Sequence, residues 1–445
     1  MTSKFSSPQL LLTYLLNFLF MLDIKFIKDN SEIVKENIKK KFQDNKIHLV
    51  DETISKYNEW KDIKQKIDEL RSDRNKISQE INQAKKENKE IKHFLKQVKE
   101  IPKKINDLEG KAKKLQTKIN EIILVIPNII HKSVPIGKDE SENKVLKKHG
   151  KIPKFNFQIK NHVELTEKLN LADYDVSTKV SSKGFYYLKN KLALLNQALI
   201  RFAIDFMQKK DYNYIEPPLM LNKEAIFASM DKEAIENSVY QIKDEDLNLI
   251  GTAEQPLLAM HTNQVISEAD LPKKYFSYSM CFRKEIGAHG INEKGLWRTH
   301  QFNKIEQFIF CRPEDSYKYY EELLKNSERI LQELQLPYRV IEICSGDLAD
   351  WKSKSADLEV YRPTTKDYGE VMSLSNCTDY QARKLNIKIL RKDNSREILH
   401  TLNDTLLATS RIMVAILENY QQKDGSVKIP KVLHKYMYGI KKIEK

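Results

Sequence analysis

The residues best suited to chemistry gather in two stretches. The first begins Phe282-Arg283-Lys284-Glu285 and ends His300-Gln301-Phe302-Asn303-Lys304-Ile305-Glu306. Arg283 and Glu285 are two apart, so on a strand they share one face. A guanidinium fork suits a phosphate, and a carboxylate beside it suits an amino donor such as that of adenine. The same spacing also makes an ordinary intrastrand ion pair. Between the two strands predicted here lie Gly287, Gly290 and Gly295, three of the chain's 12 glycines, which predicts a loop. The second stretch is Leu402-Asn403-Asp404-Thr405, followed by Thr409-Ser410-Arg411 at the head of an apolar helix from Ile412 to Tyr420. Burying Arg411 there without a partner would be costly, and either a phosphate or a structural carboxylate would serve.

Other chemistries lose their support. There is no G-x-G-x-x-G and no G-x-x-x-x-G-K-[ST], so neither usual glycine-rich phosphate cradle is present. Cys281, Cys311, Cys344 and Cys377 lie in no C-x-x-C or C-x-x-H spacing, which argues against a compact zinc site and a disulfide scaffold. Four reduced thiols are expected instead.

Several elements must position these residues. The chain has 445 residues, room for two or three domains, and 40% hydrophobic residues suffice for a core. From Ile63, Ile67, Leu70, Arg74, Ile77, Ile81 and Ala84 a seam of period 3.5 is legible. A second seam runs through Phe94, Val98, Ile101, Ile105, Leu108, Ala112, Leu115, Ile119 and Ile122. Two helices joined across the polar segment Lys85 to Lys92 predict an antiparallel coiled-coil hairpin. Its first helix, near Ile54 to Ala84, should run roughly 45 Å. Pro102 should kink or locally break the second. Residues 61–120 carry 18 Lys and Arg against 10 Asp and Glu, a net of +8 out of +14 for the whole chain. Such a rod fits a polyanion, although a solvated coiled coil is also often lysine-rich.

After Pro127 the periodicity stops, and Pro135, Gly137 and Gly150 mark a linker. Phe185 to Met207 predicts a long amphipathic helix leading into a strand, Tyr212 to Glu216, closed by Pro217-Pro218. From Tyr275 onward short aromatic and β-branched runs predict an antiparallel sheet flanked by helices, an α+β class. Leu10 to Leu22 is too short and too interrupted to span a membrane. Residues 1–20 are expected to be an N-terminal extension: an over-extended start or a loosely attached appendage.

A series of strings then carries a resemblance. They are Met21-Leu22-Asp23-Ile24, Pro127-Asn128-Ile129, Ser133-Val134-Pro135-Ile136-Gly137, Gly251-Thr252-Ala253-Glu254, the Arg283–Glu306 stretch, Ser375-Asn376-Cys377-Thr378-Asp379-Tyr380-Gln381-Ala382-Arg383 and Ala415-Ile416-Leu417-Glu418-Asn419-Tyr420-Gln421. In this order the chain resembles the seryl-tRNA synthetases, members of the class II aminoacyl-tRNA synthetases. The resemblance implies a class II catalytic core over 127–445 and a tRNA-binding domain with the coiled-coil arm over 21–126. It implies that L-serine and ATP form seryl-adenylate, whose seryl group passes to tRNA(Ser), with the selenocysteine tRNA left open as a second acceptor. Thr252, Ala253, Glu254, Glu306 and Thr405 would form the serine pocket. Arg283, Lys284, Glu285, Thr299, Phe302, Glu370, Val371, Met372, Ser373 and Arg411 would contact ATP. Arg283 would take the α-phosphate, Glu285 the adenine amino group and Phe302 the ring, while Arg411 would take the γ-phosphate. Arg283, Glu370 and Arg411 would carry catalysis, and Glu370 with Ser373 would hold Mg2+. A homodimer in the cytoplasm, with no zinc and no membrane attachment, is implied as well.

Three departures are visible. Asp404 stands where a small residue is usual, adding charge expected beside the pocket. Tyr361 replaces a tryptophan, and Met372 a small polar residue. The rival from another class is a catalytically inactive synthetase-like RNA-binding dimer, and Arg283, Glu285, Glu306, Glu370 and Arg411 all being present counts against it. A relative that loads a carrier protein would lack the basic hairpin.

Overall fold

A computed structural model of the chain describes residues 23–87, 90–286 and 294–445. The extension 1–20, Met21, Leu22, Gly287, Gly290 and the side chain of Phe94 lie outside the described part. The chain divides into two compact units: residues up to Lys39 with 43–127, and Lys40–Phe42 with Asn128–Lys445.

In the first unit, short helices α1 (Ile24–Asp29) and α2 (Ser31–Lys40) precede α3 (His48–Lys86) and α4 (Lys92–Ile123). At 39 residues α3 is longer than the seam predicted, roughly 58 Å. The two long helices share a narrow apolar seam in which Ile67, Ile101, Ile105 and Ala112 are buried. Arg71 crosses it to Glu109 at 2.8 Å. Arg74, at a seam position by spacing, is exposed. The predicted break at Pro102 does not occur, and α4 runs through it. A proline removes one N–H and leaves the rest of the ladder, and here its neighbours Ile101 and Ile105 are buried in the seam.

The second unit is built on one eight-stranded sheet. In chain order its strands are β1 (Lys144–His149), β2 (Asn213–Tyr214), β3 (Lys273–Phe282), β4 (Gln301–Cys311), β5 (Tyr338–Glu342), β6 (Lys354–Arg362), β7 (Asp367–Thr378) and β8 (His400–Ala408). The spatial order is β1-β5-β6-β7-β8-β4-β3-β2, and only the β2–β3 pair is parallel. The remaining pairs are antiparallel, as the alternating strand runs predicted.

Besides a short helix at Asp175–Val180, the unit has helices α5 (His162–Lys168), α6 (Asn190–Met207), α7 (Lys223–Ser229), α8 (Lys232–Ser238), α9 (Glu254–Ala259), α10 (Ser316–Glu333), α11 (Tyr380–Lys384) and α12 (Thr409–Asn419). One large core gathers α6, α10 and α12 with β6, β7 and β8. The helix predicted from Phe185 starts only at Asn190, because Tyr187-Leu188 pairs with Ala172-Asp173 as a small ribbon. The strand predicted over Tyr212 to Glu216 shrinks to two residues, and Tyr212 is buried against its own chain, its hydroxyl donating to Glu322. All four cysteines are free and buried.

Candidate active site

The site follows from strand pleating. On β4, Phe302, Lys304 and Glu306 alternate onto one face, and on β8 Asn403 and Thr405 do the same. On β7 a bulge places Glu370 and Val371 opposite the single residue Glu359, so Glu370, Val371 and Ser373 reach the same side. These strands floor a cavity of about 450 Å³. Its walls come from the segment before α9, from α8, from the ends of β3 and β4, and from the first turn of α12.

Of the residues expected from sequence, Thr252, Glu254, Arg283, Glu285, Thr299, Phe302, Glu370, Val371, Ser373, Thr405 and Arg411 line this one cavity. Ala253, Lys284, Glu306 and Met372 do not line it. Ala253 and Met372 are packed in apolar clusters. The Lys284 amide donates to the Ser238 carbonyl at the end of α8. Glu306 is fully buried behind Lys304, which it meets at 2.5 Å, and it accepts from the Asn403 amide at 3.1 Å. Lys304 also lies 3.4 Å from the Thr405 hydroxyl.

Arg283 and Glu285 are not on a strand, since β3 ends at Phe282. Glu285 has φ +51°, a left-handed turn that ends the pleat and breaks the shared face the spacing implied. Arg283 donates through Nε to the Gly251 carbonyl at 3.1 Å, and its guanidinium carbon lies 5.3 Å from the centre of the Phe302 ring. Glu285 is paired with Arg298 at 2.6 Å. Arg411, in the first turn of α12, donates to the Glu370 carbonyl at 2.8 Å and meets its carboxylate at 3.2 Å.

Asp404 is not beside the cavity. It lies between Asn403 and Thr405 in a strand, so it points to the opposite face. There it accepts from Ser327 at 2.5 Å and from Gln307 at 3.0 Å, fully buried.

The electrostatics have stated causes. Burial, then the nearby Glu306, raises the Glu254 carboxyl, which accepts from Gln381 at 2.7 Å. Partial loss of hydration inside the cavity pushes the half-exposed Glu370 carboxyl up, but the charge and hydrogen bond of Arg411, with Arg283 and Lys352, outweigh it and hold it below the usual range. Burial and the negative charge of Glu370 on the neighbouring strand raise Asp357, whose Oδ1 has no hydrogen-bond partner. The cavity thus combines the carboxylates of Glu254, Glu285 and Glu370, suited to an ammonium or amino donor, with Lys304, Lys352, Arg283 and Arg411, suited to carboxylate and phosphate.

Sequence reasoning missed Lys304, Asn403 and Gln381. The period-2 run Phe302-Asn303-Lys304-Ile305-Glu306 held the signal for Lys304, and Thr405 held it for Asn403, two residues back. Gln381 reaches Glu254 only through tertiary packing, anchored by Thr401 at 2.8 Å.

Comparison with known proteins agrees with this geometry. Residues 21–130 match the Seryl-tRNA synthetase N-terminal domain, and residues 238–420 match the tRNA synthetase class II core domain (G, H, P, S and T). The Serine–tRNA ligase of Methanocella arvoryzae is 44% identical over 422 residues, 94% of this chain and 99% of its own. A seryl-tRNA synthetase from Pyrococcus horikoshii, solved in complex with ATP, has a TM-score of 0.91 at 42% identity, covering 95% of this chain and 99% of its own. The cytoplasmic serine–tRNA ligase of Naegleria fowleri, solved in complex with AMP, has a TM-score of 0.85 at 34% identity over 95% of this chain and 98% of its own.

Proposed function

The chain belongs to the seryl-tRNA synthetase family, and from that premise we propose that it is a serine–tRNA ligase working in two steps. In the first, a serine carboxylate oxygen attacks the α-phosphorus of ATP, and pyrophosphate leaves. In the second, a ribose hydroxyl at the 3′ end of tRNA(Ser) attacks the carbonyl of seryl-adenylate, and AMP leaves. The observation that carries this reading is the joining of Glu254 and Lys304 to Arg283 and Arg411 in one cavity.

In this reading Glu254 receives the serine ammonium, with the negative charge of Glu306 behind Lys304 adding to the attraction. Lys304 holds Glu306 in place, and Thr252 and Thr405 offer hydroxyls to the substrate. A pocket of hydrogen-bonding groups discriminates strongly against an analogue that leaves them unpaired. Arg283 neutralises the α-phosphate as negative charge builds there, and Arg411 binds the terminal phosphate. Phe302 offers its face, and Glu285 accepts from the adenine amino group once it yields its bond from Arg298. Holding both reactants in line supplies much of the acceleration.

Mg2+ fits the residues present. Glu370 and Ser373 offer hard oxygens to the cavity from one side of β7, and Asp357, opposite Ser373 on β6, is a buried carboxyl whose Oδ1 has no hydrogen-bond partner. Bound there, the ion would neutralise phosphate charge. The basic arm binds the tRNA body, and the active form is a cytoplasmic homodimer. Among the described residues no helix is long and apolar enough to cross a membrane. The decisive experiment is serine-dependent ATP–pyrophosphate exchange on the purified chain. Exchange that is absent, or not stimulated by serine over alanine and threonine, would refute the reading.

A further inference from the structure

We propose that Trp297 is the positioning residue for Arg411, and that it keeps this arginine aimed at the terminal phosphate when Glu370 is engaged elsewhere. The proposal rests on the reading that Arg411 binds that phosphate. Trp297 lines the cavity, yet it has none of the roles that the resemblance implies for the Arg283–Glu306 stretch.

Two guanidinium groups lie against its indole. The Arg362 carbon is 4.2 Å from the ring centre and the Arg411 carbon 5.5 Å. The Trp297 carbonyl also accepts from Arg411 Nε at 3.3 Å. Bringing two like charges to one ring needs a counter-charge for each, and the two differ in kind. Arg362 is paired at 3.0 Å with Glu418, which is completely buried and also accepts from the Thr364 hydroxyl at 2.7 Å. That partner is permanent. Arg411 is paired with Glu370, whose side chain is 45% exposed and faces the cavity. That partner is free to turn to a cation or to ATP. When it does, the indole face and the Trp297 carbonyl stay with Arg411 alongside the Glu370 backbone carbonyl at 2.8 Å, and of these the indole is the one supplied by a side chain.

The indole is itself held firmly. Gly369 sits against it so closely that a Cβ there would lie 2.4 Å from Cζ2, so only glycine leaves the ring its seat. On the other side of the chain, the Leu296 amide donates to His162 Nε2 at 3.1 Å, which leaves His162 Nδ1 as the protonated nitrogen, 3.3 Å from Glu418. Glu418 therefore ties the backbone next to Trp297 and the arginine beneath it to one buried carboxylate.

A purely structural role would lower stability and affect every ligand alike. A positioning role predicts a selective loss. The test uses the full chain and compares Trp297→Leu, which keeps apolar bulk without a π face, with Trp297→Phe, which keeps a ring. In pyrophosphate exchange Trp297→Leu should raise KM for ATP about 5–30-fold, the range a lost cation–π contact supplies, with KM for serine within about twofold. Binding of AMP, which has no terminal phosphate, should change by less than about twofold, and Trp297→Phe should recover most of the ATP affinity. Arg411→Ala is the control. If it leaves the preference for ATP over AMP intact, the assignment of Arg411 fails. If it abolishes that preference while Trp297→Leu does not, or if Trp297→Leu weakens AMP and serine as much as ATP, the role of Trp297 is overturned. If Trp297→Leu does not fold, Trp297→Phe and Gly369→Ala carry the same comparison. A normal ATP-to-AMP ratio in folded Gly369→Ala then counts against the proposal.

Discussion

Single residues separate into those that face the cavity and those that stand one place away from it. Arg283→Ala should reduce serine-dependent exchange about 10²–10³-fold with an unchanged circular dichroism spectrum, because a donor aimed at developing charge is lost from a half-buried position. Exchange within threefold of the parent would end its assignment. Asp404 gives the opposite expectation. Burial pushes its carboxyl well above the usual carboxylate range, so folding favours the neutral form. The unfolded chain releases that proton near pH 4, and the native state loses relative stability as pH rises above that point. Asp404→Asn keeps an acceptor for Ser327 and Gln307 without the titration. It should be at least as stable as the parent at pH 7–8, with the advantage shrinking towards pH 4, while KM for serine stays within about twofold. Thermal melts at several pH values decide this, and a raised KM would return Asp404 to the pocket. Its placement was legible in principle, since Asn403 and Thr405 cannot face inward unless Asp404 faces out. The position of Glu370 was not legible in that way, because it depends on a bulge that exists only once β7 is paired with β6.

Elements were readable where one local period decides them and unreadable where pairing does. The arm's seam is set by residues three and four apart, so both long helices could be placed from sequence. Their ends could not, because α3 extends at its start as far as His48, beyond the periodic residues. Pro102 does not end its helix because a helix already tied to a partner tolerates one missing donor. Residues 187–188 misled because a two-residue ribbon outcompetes an otherwise good helical pattern. The arm's narrowness also gives a prediction. Ile67 is fully buried in a seam with few other buried side chains. Ile67→Ala should cost about 2–5 kcal/mol, the range for an isoleucine truncated in a core, and a two-helix rod has little else to absorb it. In the isolated unit 23–127 this should appear as a lower melting temperature by circular dichroism. A shift of less than about 2 °C would mean that the seam is not what holds the pair together.

At the scale of the whole molecule, charge and chemistry fall in different units. Residues 61–120 carry a net +8, and the cavity residues all lie after Asn128. A rod one helix pair wide offers no concavity to bind a small substrate, but it can present lysines to a phosphate backbone. Each such contact releases condensed counterion, so tRNA affinity should fall with salt at a log–log slope of roughly 0.7–0.9 per contact. Replacing about Ile63 to Leu115 with a short glycine-containing turn should leave Arg283, Glu370 and Arg411 where they are. Serine-dependent pyrophosphate exchange should then persist near the parental rate. Aminoacylation should fall by orders of magnitude through a raised KM for tRNA, and the salt slope of the remaining binding should become shallower. Loss of exchange in a protein that stays folded would make the arm part of the active site. Unchanged aminoacylation would make the basic helices a solvated appendage, and the excess of lysine would then need a different explanation from the one its position on the rod supplies.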